Sequence, residues 1–269
     1  STKREEPVVA GAKNNGKPTP NISANKVIGT GTVVTTGLVV LLLIFIFEIQ
    51  PARANMKTLI ALKYLTYQPV VGLEAMNAAL AFNAPHIDDI RSDLARTAVQ
   101  VLSGEVAKKL DKDQGTKMLN TAFDAMQANV ILHPYDIRNY LTLSQLSQVG
   151  YTLTNDARFI GEYGGNLEIA LKYSPKRQQI IYNLANFYLQ INKFDEAVKF
   201  LEQTIDDDPK IAEGYWRLAY MYKLVGKTDK AREVLDLAEK NVSVFSDSDK
   251  EIIKQILAEL PVVTRVEKK

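Results

Sequence analysis

The side chains that most often carry chemistry are scarce in this chain. Its 269 residues hold two histidines and no cysteine. Without thiols, disulfides, thiolate metal sites and a cysteine nucleophile are all excluded. His86 follows Pro85 and His133 precedes Pro134, so both fall at helix ends. Neither belongs to a helical metal motif such as HExxH, so both are expected to face solvent or cap helices. Asp206-Asp207-Asp208 lacks the glycine and later glutamate of a calcium loop and reads as a solvated helix end. Gly29-Thr30-Gly31-Thr32 lacks the third glycine, the lysine and the preceding strand of a phosphate loop. Asn21-Ile22-Ser23 and Asn241-Val242-Ser243 match the glycosylation triplet, which is common by chance. Lys and Arg total 33 against 31 Asp and Glu. No basic stripe with interleaved aromatics stands out, so nothing calls for nucleic acid. The reading is therefore of no catalytic residue, no metal and no cofactor in this chain.

What remains is recognition chemistry. Tyr182, Asn186 and Leu189 stand at helical spacing, and Glu213, Trp216, Tyr220 and Lys223 repeat the pattern further on, with Arg217 beside them. Aromatic rings and arginine are what binding hot spots are made of. The set reads either as an aromatic, hydrogen-bonding strip for an extended peptide or a glycan, or as packing between neighbouring helices.

Those residues need a frame, and residues 178 to 245 supply one. QQIIYNLANFYLQINKFDEAVKFLEQTIDDDP is followed by AEGYWRLAYMYKLVGKTDKAREVLDLAEKNVS. Leu184, Ala185, Tyr188, Ala197 and Leu201 recur 34 positions later as Leu218, Ala219, Tyr222, Ala231 and Leu235. Each copy reads as two helices. Ile181, Leu184, Ala185 and Tyr188 make the apolar face of the first, and Ala197, Leu201 and Ile205 that of the second. Asn192-Lys193 and Gly226-Lys227 mark the turns. Small residues sit where two helices must approach to 8–10 Å. A period of 34 resembles the tetratricopeptide repeat over residues 176 to 245, which implies an α-solenoid whose first helices line a concave groove.

The rest of the chain falls in line with that frame. Residues 1–26 are polar, rich in Gly, Pro, Asn and Ser, and read as a flexible segment. Residues 27–47 carry no charge and span roughly 31 Å as a helix, enough for the hydrocarbon core of a bilayer. A transmembrane helix is the expectation. A signal peptide has a shorter apolar core, although Ala52-Arg53-Ala54 faintly resembles a cleavage site. Gly31 with Thr35 and Thr32 with Thr36 are small residues four apart, suited to a close helix neighbour or to nothing in particular. Basic residues flank the run evenly, and Lys3 and Arg4 tip the balance toward a cytoplasmic N-side, which puts the repeats outside the cytoplasm. Residues 54–134 read as degenerate repeat-like helix pairs, with helices over 54–66, 72–83, 87–110 and 114–132. Residues 135–245 read as repeats, the first with a helix over 136–148 capped by Asp136, then a long loop from Val149 to Asn155 and a helix weakened by Gly164 and Gly165. Residues 246–269 read as a capping helix over 247–259 with a frayed tail. The fold class is all-α: a solenoid of antiparallel helix pairs preceded by one membrane helix.

A wider resemblance covers most of the chain. The membrane span, the Asn/Ala-rich helix pair, PYDIRNYLTL and SPKRQQIIYNLANFYLQ resemble the C-terminal part of bacterial O-antigen ligase/polymerase-like membrane proteins that carry a repeat tail. That family implies glycan transfer from a lipid carrier in a multi-span membrane domain. One span is present here and the family's catalytic loop has no counterpart, so no catalytic residue carries over. Ser1 is not a start methionine, so either a methionine was removed or the chain is cut from something longer. The functional expectation is a membrane-anchored, non-enzymatic interaction module that holds a protein or peptide, or a glycan, in its groove, with the bilayer taken up by residues 27–47. The alternative is the repeat tail of a glycan ligase or polymerase.

Overall fold

A computed structural model describes residues 24–82 and 84–261. The expected flexible segment up to residue 23, the first glycosylation triplet and the tail from residue 262 lie outside the described residues. The chain divides into two units, 1–51 and 52–269. In the first, helix α1 (Ala24–Ile44) passes into a π-helical turn, Phe45–Ile49. The side chains from Gly31 to Phe45 are all exposed. The Thr35 hydroxyl donates to the Gly31 carbonyl at 2.9 Å, so it is satisfied within the helix. From Gly31 the helix runs on to Tyr67 and, by length and composition, is long and apolar enough to cross a membrane.

The second unit holds eleven α-helices among its described residues, counting α2 (Gln50–Tyr67), which begins at the boundary. No described residue forms a strand. α3 runs from Pro69 to Leu80, not over 72–83, because Pro69 opens the helix instead of merely ending α2. Its missing N–H falls at the first position, where no helical bond is lost. α2 and α3 meet where Gly72 lies against the backbone of Leu65. α4 (Ile87–Ser103) ends seven residues before the expected 110, as Gly104 leaves the helical region and a 3-10 turn, Glu105–Lys109, follows. α5 (Lys112–Leu132) opens on a capping box, in which Asp111 accepts from the Gln114 amide at 2.8 Å and the Gln114 side chain accepts from the Asp111 amide at 3.1 Å.

From here the helices pack as successive pairs: α6 (Ile137–Thr154) with α7 (Arg158–Tyr173), α8 (Gln178–Gln190) with α9 (Phe194–Asp207), and α10 (Ala212–Leu224) with α11 (Thr228–Glu239). α12 (Asp247–Glu259) packs on α10 and α11. The 34-residue period is geometric as well as chemical, since α8 and α10 start 34 positions apart at Gln178 and Ala212, and α9 and α11 at Phe194 and Thr228. Both turns are built alike. Asn192 and Gly226 take φ of 60° and 76°. The following amides, of Lys193 and Lys227, donate to the carbonyls of Tyr188 and Tyr222 at 2.8 and 2.9 Å. These are Schellman closures, which need a left-handed residue at that position. Ala185, Ala197, Ala219 and Ala231 are fully buried in one core cluster, so the recurring small residues occupy the close approaches.

α6 departs from the sequence reading. It continues to Thr154, so most of the expected loop is helix. α6 starts 41 positions before α8, seven more than the repeat period and about two helical turns. It is still a first helix of the same kind. Tyr140 donates to the Pro134 carbonyl at 2.8 Å as Tyr215 does to the Pro209 carbonyl at 3.1 Å, six residues back in each case. α7 likewise runs unbroken through Gly164 and Gly165. A Cβ at Gly164 would overlap the Phe187 ring, whereas one at Gly165 would meet open space. Gly164→Ala is therefore expected to destabilise by about 1–3 kcal/mol through overpacking, and Gly165→Ala to stabilise by roughly 0.5–1 kcal/mol through helix propensity. Urea unfolding followed by circular dichroism checks the opposite signs.

Candidate functional site

The eight strip residues lie on α8 and α10, and the structure sorts them by exposure. Tyr182 is 5% exposed and belongs to the core; its hydroxyl donates to Gln178 at 2.7 Å. Asn186 and Leu189 are half-buried one and two turns further along α8. On α10, Tyr220 is 47% exposed, while Glu213, Trp216, Arg217 and Lys223 are half-buried. The helix buries Leu218, Ala219 and Tyr222 on its other side. Trp216 and Tyr220 share a face by spacing, yet only Tyr220 is open. The Trp216 ring packs against the core cluster that α12 completes, and its indole N–H is buried with no hydrogen-bond acceptor among the described residues. Leaving such a donor unpaired costs about 1–3 kcal/mol.

Arg217 organises the strip. Its guanidinium lies 4.8 Å from the centre of the Tyr182 ring and 4.7 Å from that of Trp216. Glu213, one turn earlier, holds it from the side, with Nε at 2.8 Å and Nη2 at 2.6 Å from the same carboxylate oxygen. A cation held between two rings and fixed by a carboxylate is rigid. Lys223 pairs with Glu259 of α12 and lies 5.8 Å from the Tyr220 ring. The charges in the strip are thus matched internally, and the open chemistry is the Tyr220 phenol, the Asn186 amide and the Leu189 side chain.

A cleft that sequence reasoning missed lies beside the α6 extension. Gln148, Tyr151 and Thr152 of α6, Phe159, Ile160 and Tyr163 of α7 and Gln190 at the end of α8 enclose about 290 Å³. Three rings and two amides in a recess can hold a flat apolar group by its edges. One wall comes from residues past 148 that read as loop, so nothing pointed to it. A second, smaller cavity of about 100 Å³ is polar. His133 lies 3.0 Å from Asp88 there, and the buried Asn129 amide donates to the Asp88 carbonyl at 2.7 Å and to Ser92 at 3.0 Å. Arg138 hydrogen-bonds Asp136 and holds its carboxyl below the usual range. His86 contacts Asn55 at 2.7 Å. Among the described residues no group of three or more His, Asp and Glu is gathered closely enough to hold a metal ion.

Residues 165–221 match a family described as tetratricopeptide repeat. A search of curated proteins finds no match. Among solved structures, a thermophilic tetratricopeptide-repeat protein of Thermus thermophilus aligns with 76% of this chain and 99% of its own, at 17% identity and a TM-score of 0.48. A MamA protein aligns with 78% of this chain and 97% of its own, at 18% identity and 0.48. MamA of Desulfovibrio magneticus aligns with 71% and 95%, at 14% identity and 0.44.

Burial sets how two phenols titrate, one in the cleft and one in the strip. It pushes the Tyr163 phenol up to about 12, and the Tyr182 phenol also to about 12 with help from the Glu213 charge. A phenol that ionises near 10 in the unfolded chain and near 12 in the folded one holds its proton more tightly when folded. Its stability contribution is complete below pH ~10 and is lost as pH rises toward ~12. Alkaline titration is expected to show unfolding across that window, and Tyr182→Phe should flatten the slope. Loss of stability already complete below pH ~10 would contradict the burial.

Proposed function

We propose that this chain is a membrane-anchored interaction scaffold, and that the α8–α10 strip is where an extended peptide segment of a partner protein binds. The strip's geometry carries this reading. Arg217, locked between Tyr182 and Trp216 and braced by Glu213, makes a rigid floor beside the exposed Tyr220. A rigid floor loses little entropy on binding. Stacked helix pairs present such surfaces along a concave face. A glycan is the second occupant the same chemistry suits, since an aromatic ring beside an amide offers stacking and hydrogen bonds together.

The anchor is the apolar stretch that begins at Val27, and the flanking charges favour a single pass with the repeats outside the cytoplasm. The resemblance to the repeat tail of O-antigen ligase/polymerase-like proteins supports a second reading, in which the scaffold serves a glycan-transferring enzyme. Coding sequence for further apolar spans upstream of Ser1 would favour it.

Full-length protein is expected to sediment with membranes and to resist carbonate extraction, and protease added outside sealed cells should digest the repeats. Once a partner that co-purifies with the chain is identified, Tyr220→Ala should weaken its binding by about 2 kcal/mol, as at a hot spot, without moving the melting temperature. Binding that survives the substitution would remove the strip from the interface.

A further inference from the structure

The first helix of the second unit is apolar on two opposite faces. α2 buries Ala54, Thr58, Ala61 and Leu65. On the other side Met56, Leu59, Ile60, Lys63, Tyr64 and Tyr67 follow helical spacing and are all exposed. Met56 is 65% and Leu59 67% exposed. Val70 and Val71, at the start of α3, extend the apolar surface past the turn. A contiguous apolar face of this kind marks an interaction surface.

Its charge is one-sided. Between Glu48 and Glu74 there is no acidic residue, while Arg53, Lys57 and Lys63 all lie on α2. Arg53 and Lys57 sit on the flank, over the Phe82 ring at 5.8 and 5.4 Å. Lys63 stands in the middle of the apolar stripe, and Lys109 reaches the Tyr67 carbonyl at 3.5 Å from the neighbouring 3-10 turn. An apolar stripe with tyrosines at one end and cations around it is the pattern of a helix lying in the interface of a bilayer.

We propose that this face of α2, with Val70 and Val71, docks on an anionic lipid surface. The proposal rests on the anchor reading above and goes beyond it by giving α2 a lipid contact of its own. A second copy of the chain is the competing occupant. A two-fold contact through this stripe would bring Lys63 against its own equivalent in the apolar centre, whereas lipid phosphates neutralise it.

The absence of cysteine makes the test direct. Leu59→Cys and, as control, Leu237→Cys at an exposed position of α11 are each spin-labelled in the full chain. The chain is placed in phosphatidylcholine vesicles with and without phosphatidylglycerol. With phosphatidylglycerol present, the label at 59 should be several-fold less accessible to an aqueous nickel chelate than the label at 237, and more accessible to oxygen. Adding Lys63→Glu should reverse this. A label at 59 as open to nickel as that at 237, in a chain that remains in the vesicles, overturns the docking and leaves the anchor standing. Spin–spin broadening at 59 overturns it in favour of a second copy. A chain that does not partition into vesicles at all overturns the anchor and the docking together.

Discussion

Close approach between helices is the constraint on which the rest depends. Each pair from α6 to α11 brings two helices together over a seam of alanine or glycine, and at those points there is no room for a larger side chain. Ala185, Ala197, Ala219 and Ala231 are fully buried. Gly164 and Gly150 give up their side-chain space to the rings of Phe187 and Phe159. Once the seams fix the spacing, the two Schellman turns fix the hand, and the first helix of each pair must show the same face each time. Neighbouring core clusters share residues, Val130 between the first and second and Tyr188 and Phe200 between the second and third, so the core runs on through successive pairs.

That face carries the strip proposed to bind, and α10 shows how its side chains are arranged. Its buried side is occupied by Leu218, Ala219 and Tyr222, so Glu213, Arg217 and Tyr220 are left to one another and to what lies outside. Arg217 uses both rings within reach and one carboxylate. The indole N–H of Trp216 packs without a hydrogen-bond partner among the described residues. A partner that binds here meets a surface already ordered by internal contacts, with a phenol and an amide free to make new ones.

Much of this was legible in the residues. The 34-residue recurrence placed four helices and both turns, and Asp136 was readable as a cap because an acidic side chain before an apolar helix accepts an amide hydrogen. Four features were hidden. Pro69 reads equally as a helix end or a helix start, and only the packing of α3 decides. Val149 to Asn155 contains a glycine and two threonines, all poor helix formers. Yet Thr152 and Thr154 bond back to the carbonyls of Gln148 and Gly150 at 3.1 and 2.7 Å, and Gly150 admits a ring, so the helix continues. The cleft at its end was hidden with it. Trp216 and Tyr220 share a face by spacing alone, but Trp216 packs against a core cluster drawn from α8 to α12 while Tyr220 stays exposed.

Whether partners meet the α8–α10 strip decides the functional reading. A photo-reactive phenylalanine analogue placed at position 220, and separately at position 237 on exposed α11, tests this in cells carrying the full chain. The strip reading predicts a defined crosslinked adduct from 220 that the Arg217→Ala substitution diminishes, and none from 237. Adducts from 237 alone, or adducts from 220 indifferent to Arg217, would contradict it.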